Sequence, residues 1–96
     1  MDKNLDDIMR IVADYRNAQG WQNNDQPNNL VKSIFIESTE LLLNFKCAQK
    51  HYNLENIKEE IADILMYVLA FTYDLGLSAE EIVLNRVKSL SVYKKR

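Results

Sequence analysis

From Ile61 to Phe71 every position but one carries an apolar side chain, and the exception, Asp63, is an acid. Asn53 stands ahead of this segment as a helix cap and Gly76 behind it as a helix stop, so the spacing predicts one helix from Leu54 to Leu75. A helix with one wet side alternates apolar and polar residues at a 3.6-residue period; this one is apolar nearly all round and needs cover on several sides. A single domain, residues 1–96, is near the small end of what can bury a useful core. The uncovered remainder predicts contact with a second subunit through helical faces.

The rest of the chain supplies three more helices. Asn4 caps a first one whose apolar positions are Leu5, Ile8, Met9, Val12 and Tyr15, ending at Gly20. A polar stretch from Gly20 to Asn29 reads as a loop with Trp21 in it, and Asn28 or Asn29 caps a second helix carrying Leu30, Ile34, Leu41, Leu42 and Phe45. Ser78-Ala79-Glu80-Glu81 is a capping box for the last helix, with Leu77 and Ile82 as a hydrophobic staple, and that helix runs to about Tyr93. With two glycines, one proline and no β-type alternation, the expected fold class is all-α, a four-helix bundle.

Composition excludes several function classes. A net charge of −2 argues against a nucleic-acid binder, and the Lys94-Lys95-Arg96 run reads as a solvated tail. The lone Cys47 fits a reducing compartment and reads as a packing residue, with no histidine paired to it. The polar start, Met1-Asp2-Lys3-Asn4, does not read as a signal peptide, and the apolar run Ile64–Phe71 is far shorter than a membrane span. The expectation is a cytoplasmic protein with no membrane and no nucleic-acid partner.

The chemistry sits in two acid pairs, Glu37 with Glu40 and Glu60 with Asp63, each spaced i, i+3 and so placed on one helix face. One such pair is ordinarily a solvated surface. Two pairs on adjacent helices, both set in apolar sequence, imply like charges in a costly place unless a cation sits among them. Four oxygen donors without histidine suit Mg²⁺ or Mn²⁺. Di-iron chemistry wants Glu-x-x-His, and His51 lies in the turn, where it completes neither pair. If the second helix ran to Lys50, Glu40 would lie roughly 6 Å out of step with Glu60. The metal reading therefore predicts that the second helix ends between Phe45 and Cys47, or crosses the third obliquely. Glu59 points away from the pair, as a surface acid. Trp21 is either a loop anchor or an aromatic wall for a planar ligand such as a nucleobase.

The arrangement Glu-x-x-Glu, spacer, Glu-x-x-Asp resembles the MazG-like all-α nucleotide pyrophosphohydrolases. Trp21, Pro27, Asn29 and Leu30 ahead of Glu37-Ser38-Thr39-Glu40-Leu41-Leu42, and Glu59-Glu60-Ile61-Ala62-Asp63-Ile64-Leu65-Met66-Tyr67, are similar to the branch that includes dCTP pyrophosphatases. The resemblance runs from about Trp21 to Tyr93. It implies a MazG-like bundle, assembled as a homodimer or homotetramer, that hydrolyses a nucleoside triphosphate to monophosphate and pyrophosphate with Mg²⁺. In that reading Glu37, Glu40, Glu60 and Asp63 are the catalytic and metal residues, and one of the glutamates orients or deprotonates water. Trp21, Tyr67 and Arg86 are the substrate-binding candidates; Tyr67 could equally be core and Arg86 a solvated side chain. The sequence departs from the branch in three places. Cys47 stands where a tryptophan is frequent, and Asp25 and Asn28 where His and Arg are frequent. The last helix lacks the Lys-x-x-x-Asn motif, with Arg86 and Leu90, or Asn85 and Ser89, at the corresponding positions. The missing Lys-x-x-x-Asn motif favours a second reading, a helical binding or assembly module that keeps the bundle without the chemistry, and the four retained acids oppose it.

Overall fold

The computed structural model describes residues 2–21, 26–45 and 53–93. Asp25, Cys47, the His51-Tyr52 turn and the Lys94–Arg96 tail lie outside them. The described residues form four helices and no strand: α1 (Leu5–Ala18), α2 (Pro27–Leu43), α3 (Leu54–Asp74) and α4 (Ala79–Tyr93).

Local chemistry sets most of the helix ends. At the start of α1, Asn4 Oδ1 accepts from the Asp7 amide at 2.8 Å and the Asp7 carboxylate accepts from the Asn4 amide at 3.1 Å, a reciprocal box. Asn53 caps α3 by accepting from the Asn56 amide at 3.1 Å. Gly20 and Gly76, with φ of 75° and 73°, take the left-handed turns that end α1 and α3.

The start of α2 differs from the expectation. Neither Asn28 nor Asn29 caps it; both lie inside its first turn, and the N-cap is Gln26, extended at φ −75° and ψ 153°. Pro27 explains the shift. Its ring presets a helical φ at the first position, its missing N–H is one that a helix start cannot pair anyway, and it drives the preceding residue into extended backbone. At the other end α2 stops at Leu43, earlier than the Phe45–Cys47 window, with Asn44 as C-cap. Asn44 also accepts from the Asn56 side-chain amide at 3.3 Å, which ties the two ends of the α2–α3 hairpin.

At α4 half of the expected box is present: Ser78 Oγ accepts from the Glu81 amide at 3.1 Å. The next unpaired amide, that of Glu80, donates not within its own helix but to Asp6 of α1 at 3.0 Å, and the Ser78 hydroxyl donates to the same carboxylate at 2.6 Å. These two bonds, the hydroxyl foremost, hold the Asp6 carboxyl below its ordinary range.

The core is small. Met9, Leu69 and Ala79 bring α1, α3 and α4 together, with Leu5 and Val12 packed against them. The buried face of α1 is rotated from the expected stripe: Met9, Ala13 and Arg16 are inside, while Ile8 and Tyr15 are exposed. Arg16 causes the rotation. Its guanidinium makes two parallel bonds to the Asp74 carboxylate, both 2.7 Å, with the arginine side chain 7% exposed and the aspartate 30%. On α2 only Leu30 is buried; Leu42 and Phe45, expected in the core, are exposed.

The arrangement is open. Every other helix touches α3, α1 also touches α4, and among the described residues α2 touches neither α1 nor α4. The chain bends by 101° between α3 and α4. Its radius of gyration is 15.6 Å, against about 12.5 Å for a compact domain of this length. Its accessible surface is 7661 Å², against about 5,700 Å² for a folded monomer of this mass. No single described helix is long and apolar enough to cross a membrane.

Replacing Asp74 with alanine would leave the buried guanidinium of Arg16 without its bidentate acceptor. The expected loss is about 2–3 kcal/mol, at the low end for a broken buried pair because Asp74 is partly wet. Urea unfolding of the two proteins, followed by helicity, measures it.

Candidate metal centre and adjoining cavity

The hairpin of α2 and α3 carries the acids to one seam. Carboxylate oxygens of Glu37, Glu60 and Asp63 lie within 4.8 Å of one another, with Glu37 and Glu60 half-buried and Asp63 exposed. The early end of α2 permits this register: Glu37 lies six residues before Leu43 and Glu60 six residues after Leu54. Glu40 stands outside the triangle, exposed on α2, yet its charge still acts on Glu60. Glu59 is exposed.

Glu60 bears the cost of the arrangement. Its carboxyl is pushed up to about 7, first by a hydrogen bond with Glu37, then by burial, then by the charges of Glu37, Glu40 and Asp63. Its Oε1 is buried with no donor among the described residues. A proton shared with Glu37 relieves the pair near neutral pH; above it the three acids repel.

These residues fit a hard divalent cation. Oxygens around one octahedral ion at about 2.0–2.1 Å lie roughly 3–4 Å apart. A triangle within 4.8 Å is thus slightly wider than one ion's shell, and small rotamer changes close it. A cation would replace the shared proton and supply the buried Oε1 with a partner.

Asp63 also borders a cavity of about 870 Å³ between α1 and α3. Ile11, Val12, Met66 and Ala70 give it apolar walls; Tyr15, Trp21 and Tyr67 give it aromatic ones; Arg16 lines it as well. Trp21 follows directly on Gly20 and meets Tyr15 edge to face, ring centres 5.6 Å apart and planes at 81°. It is both a packing residue and a wall. Tyr67, one turn beyond Asp63 on α3, is half-buried and on the wall. Arg86 is not there: it is exposed on α4 and lines no part of this cavity.

Arg16 and Tyr15 line the cavity although the acid motifs do not point to them. A signal existed: Arg16 lies four residues after Val12, in register with the buried stripe of α1, and Asp74 closes the apolar stretch of α3. A cation on one buried stripe and an acid at the end of another are a candidate pair.

Because the folded Glu60 pKa lies above its ordinary value of 4.5, the folded state holds this proton more tightly than the unfolded chain. Stability from this group is full below about 4.5 and lost as pH rises through about 7. Glu60→Gln should therefore melt higher than the wild type at pH 8 and at nearly the same temperature at pH 4.5, measured as melting curves across that range. Comparison of the chain with protein families, curated proteins and solved structures returns no match.

Proposed function

We propose that this chain is a Mg²⁺-dependent nucleoside triphosphate pyrophosphohydrolase, releasing monophosphate and pyrophosphate in nucleotide-pool housecleaning, as a MazG-like helical homodimer or homotetramer. The observation that carries the reading is the double membership of Asp63, which belongs to the carboxylate triangle and to the wall of the aromatic cavity. A ligand filling the cavity would have one end against hard oxygen donors and the other between aromatic and apolar side chains. A nucleotide has that polarity, and stacking a base on an aromatic side chain is worth about 1–3 kcal/mol.

Glu37, Glu60 and Asp63 would hold Mg²⁺, whose chemistry here is charge neutralisation on the polyphosphate and acidification of water. The chain's own residues do the rest. Trp21 and Tyr67 position the base; Met66 and Ala70 exclude water from its faces. Glu40, outside the triangle but close enough to be felt by Glu60, is the carboxylate left to take the proton from the attacking water. The water oxygen forms a bond to the α-phosphorus, the bond from that phosphorus to the oxygen bridging to the β-phosphate breaks, and pyrophosphate departs with that oxygen.

Product chromatography over a panel of ribo- and deoxyribonucleoside triphosphates, with and without Mg²⁺, tests this. Asp63→Ala should remove activity below detection, and Glu40→Gln should lower kcat by about 10²–10⁴ while sparing the Mg²⁺-dependent gain in melting temperature. Release of orthophosphate, or full activity in either variant, would refute the mechanism. The second reading, a non-catalytic assembly module, is favoured by one observation, the placing of Arg86 away from the cavity. An absence of turnover on every triphosphate would favour it over the enzyme. For the assembly itself, sedimentation at micromolar concentration should show a dimer or tetramer, and a stable monomer would count decisively against it.

A further inference from the structure

Helix α4 is the least supported part of the fold. Its eight residues from Glu81 to Lys88 are all exposed, so it is bare on every side over two turns. Ile82, Val83, Leu84 and Val87 lie among them, with Leu84 58% and Val87 56% exposed. A helix of 15 residues is marginal in water without a packed face. The 101° bend carries it away from its own α3, and it does not reach its own α2.

The same chain has a second bare apolar surface on the α2–α3 hairpin: Phe35, 73% exposed, and Leu42 on α2, with Ile61 and Leu65 on α3. Charge matches the two surfaces. Beyond the Glu80-Glu81 pair in its first turn, α4 carries Arg86 and Lys88, and the sequence then has Lys94, Lys95 and Arg96, with no further acid. On the hairpin Glu40, Glu59 and Asp63 are exposed acids, while Glu55 is paired with Lys58 and Asp74 with Arg16. The excess surface of the single chain, about 2,000 Å² over a folded monomer of its mass, is what an obligate dimer interface removes.

We propose that α4 is an exchanged arm: in a two-fold dimer, the α4 of each copy lies across the bare face of the other copy's α2–α3 hairpin. This inference rests on the self-assembly proposed above and names the segment that makes it. A two-fold axis lets each copy give one arm and receive one, so both bare surfaces are covered and the assembly closes. The basic side of the arm comes to lie along the acidic hairpin, where opposite charge fixes its register.

Complementation of two defective chains tests the exchange. Val87→Asp spoils the arm and Phe35→Asp spoils its seat, and each change alone should weaken the dimer at least about tenfold in sedimentation. Mixed together, they should regain a dimer through the one intact contact, the arm of the Phe35→Asp chain on the seat of the Val87→Asp chain. Circular dichroism reports whether each variant keeps its helix. A conservative arm of the test covers loss of folding. In a Cys47→Ser background, a tagged chain with Phe35→Cys and an untagged chain with Val87→Cys should be joined by a short bis-maleimide into a heterodimer. A dimer of normal affinity from Val87→Asp, no recovery on mixing of folded variants, or no cross-link between the two chains would overturn the arm. None of these readouts uses hydrolysis, so failure of the arm and failure of the enzyme reading are told apart.

Discussion

The apolar surface of α3 is the constraint on which the rest of the structure depends. Fully burying one leucine, isoleucine or phenylalanine is worth about 1.5–3 kcal/mol, and α3 presents such residues in nearly every direction. The three other helices all lean on it, and its buried Leu69 joins α1 and α4 in the one shared cluster. Three helices in this arrangement still leave Ile61 and Leu65 bare. The openness of the fold is thus written into a helix that asks for more cover than one chain of 96 residues gives it.

Against that hydrophobic demand stands an electrostatic cost at the same seam. Glu60 belongs to α3 and Glu37 to α2, and the helix packing that buries Leu30 and Ile57 brings their carboxyls together. Packing therefore stabilises the hairpin while repulsion opposes it, and the protonation of Glu60 marks the balance. A cation placed among these oxygens would relieve that repulsion, so part of its binding energy would come from strain the acids already carry.

The sequence disclosed what local rules govern. The four helices, the caps at Asn4 and Asn53, the stops at Gly20 and Gly76 and the i, i+3 spacing of each acid pair all follow from residues within a few positions of one another. The start of α2 departs from an asparagine cap because the fixed φ of Pro27 decides the question. The buried face of α1 is not legible locally because Arg16 takes its place from Asp74, far along the chain. The separation of Glu40 from the other three acids depends on how two helices cross, and spacing within each helix does not contain that angle. The cavity, formed by α1, Trp21 and α3, belongs to the same non-local class.

Asp6 meets the first turn of α4 across a sequence separation of 74 residues. Loops of that length close at an entropic cost repaid only once both partners are in place. The beginning of α4 is consequently specified by Asp6 of α1 as well as by its own Ser78. A change at Asp6 is therefore felt at the start of α4, which its own residues alone would leave with the Ser78 cap.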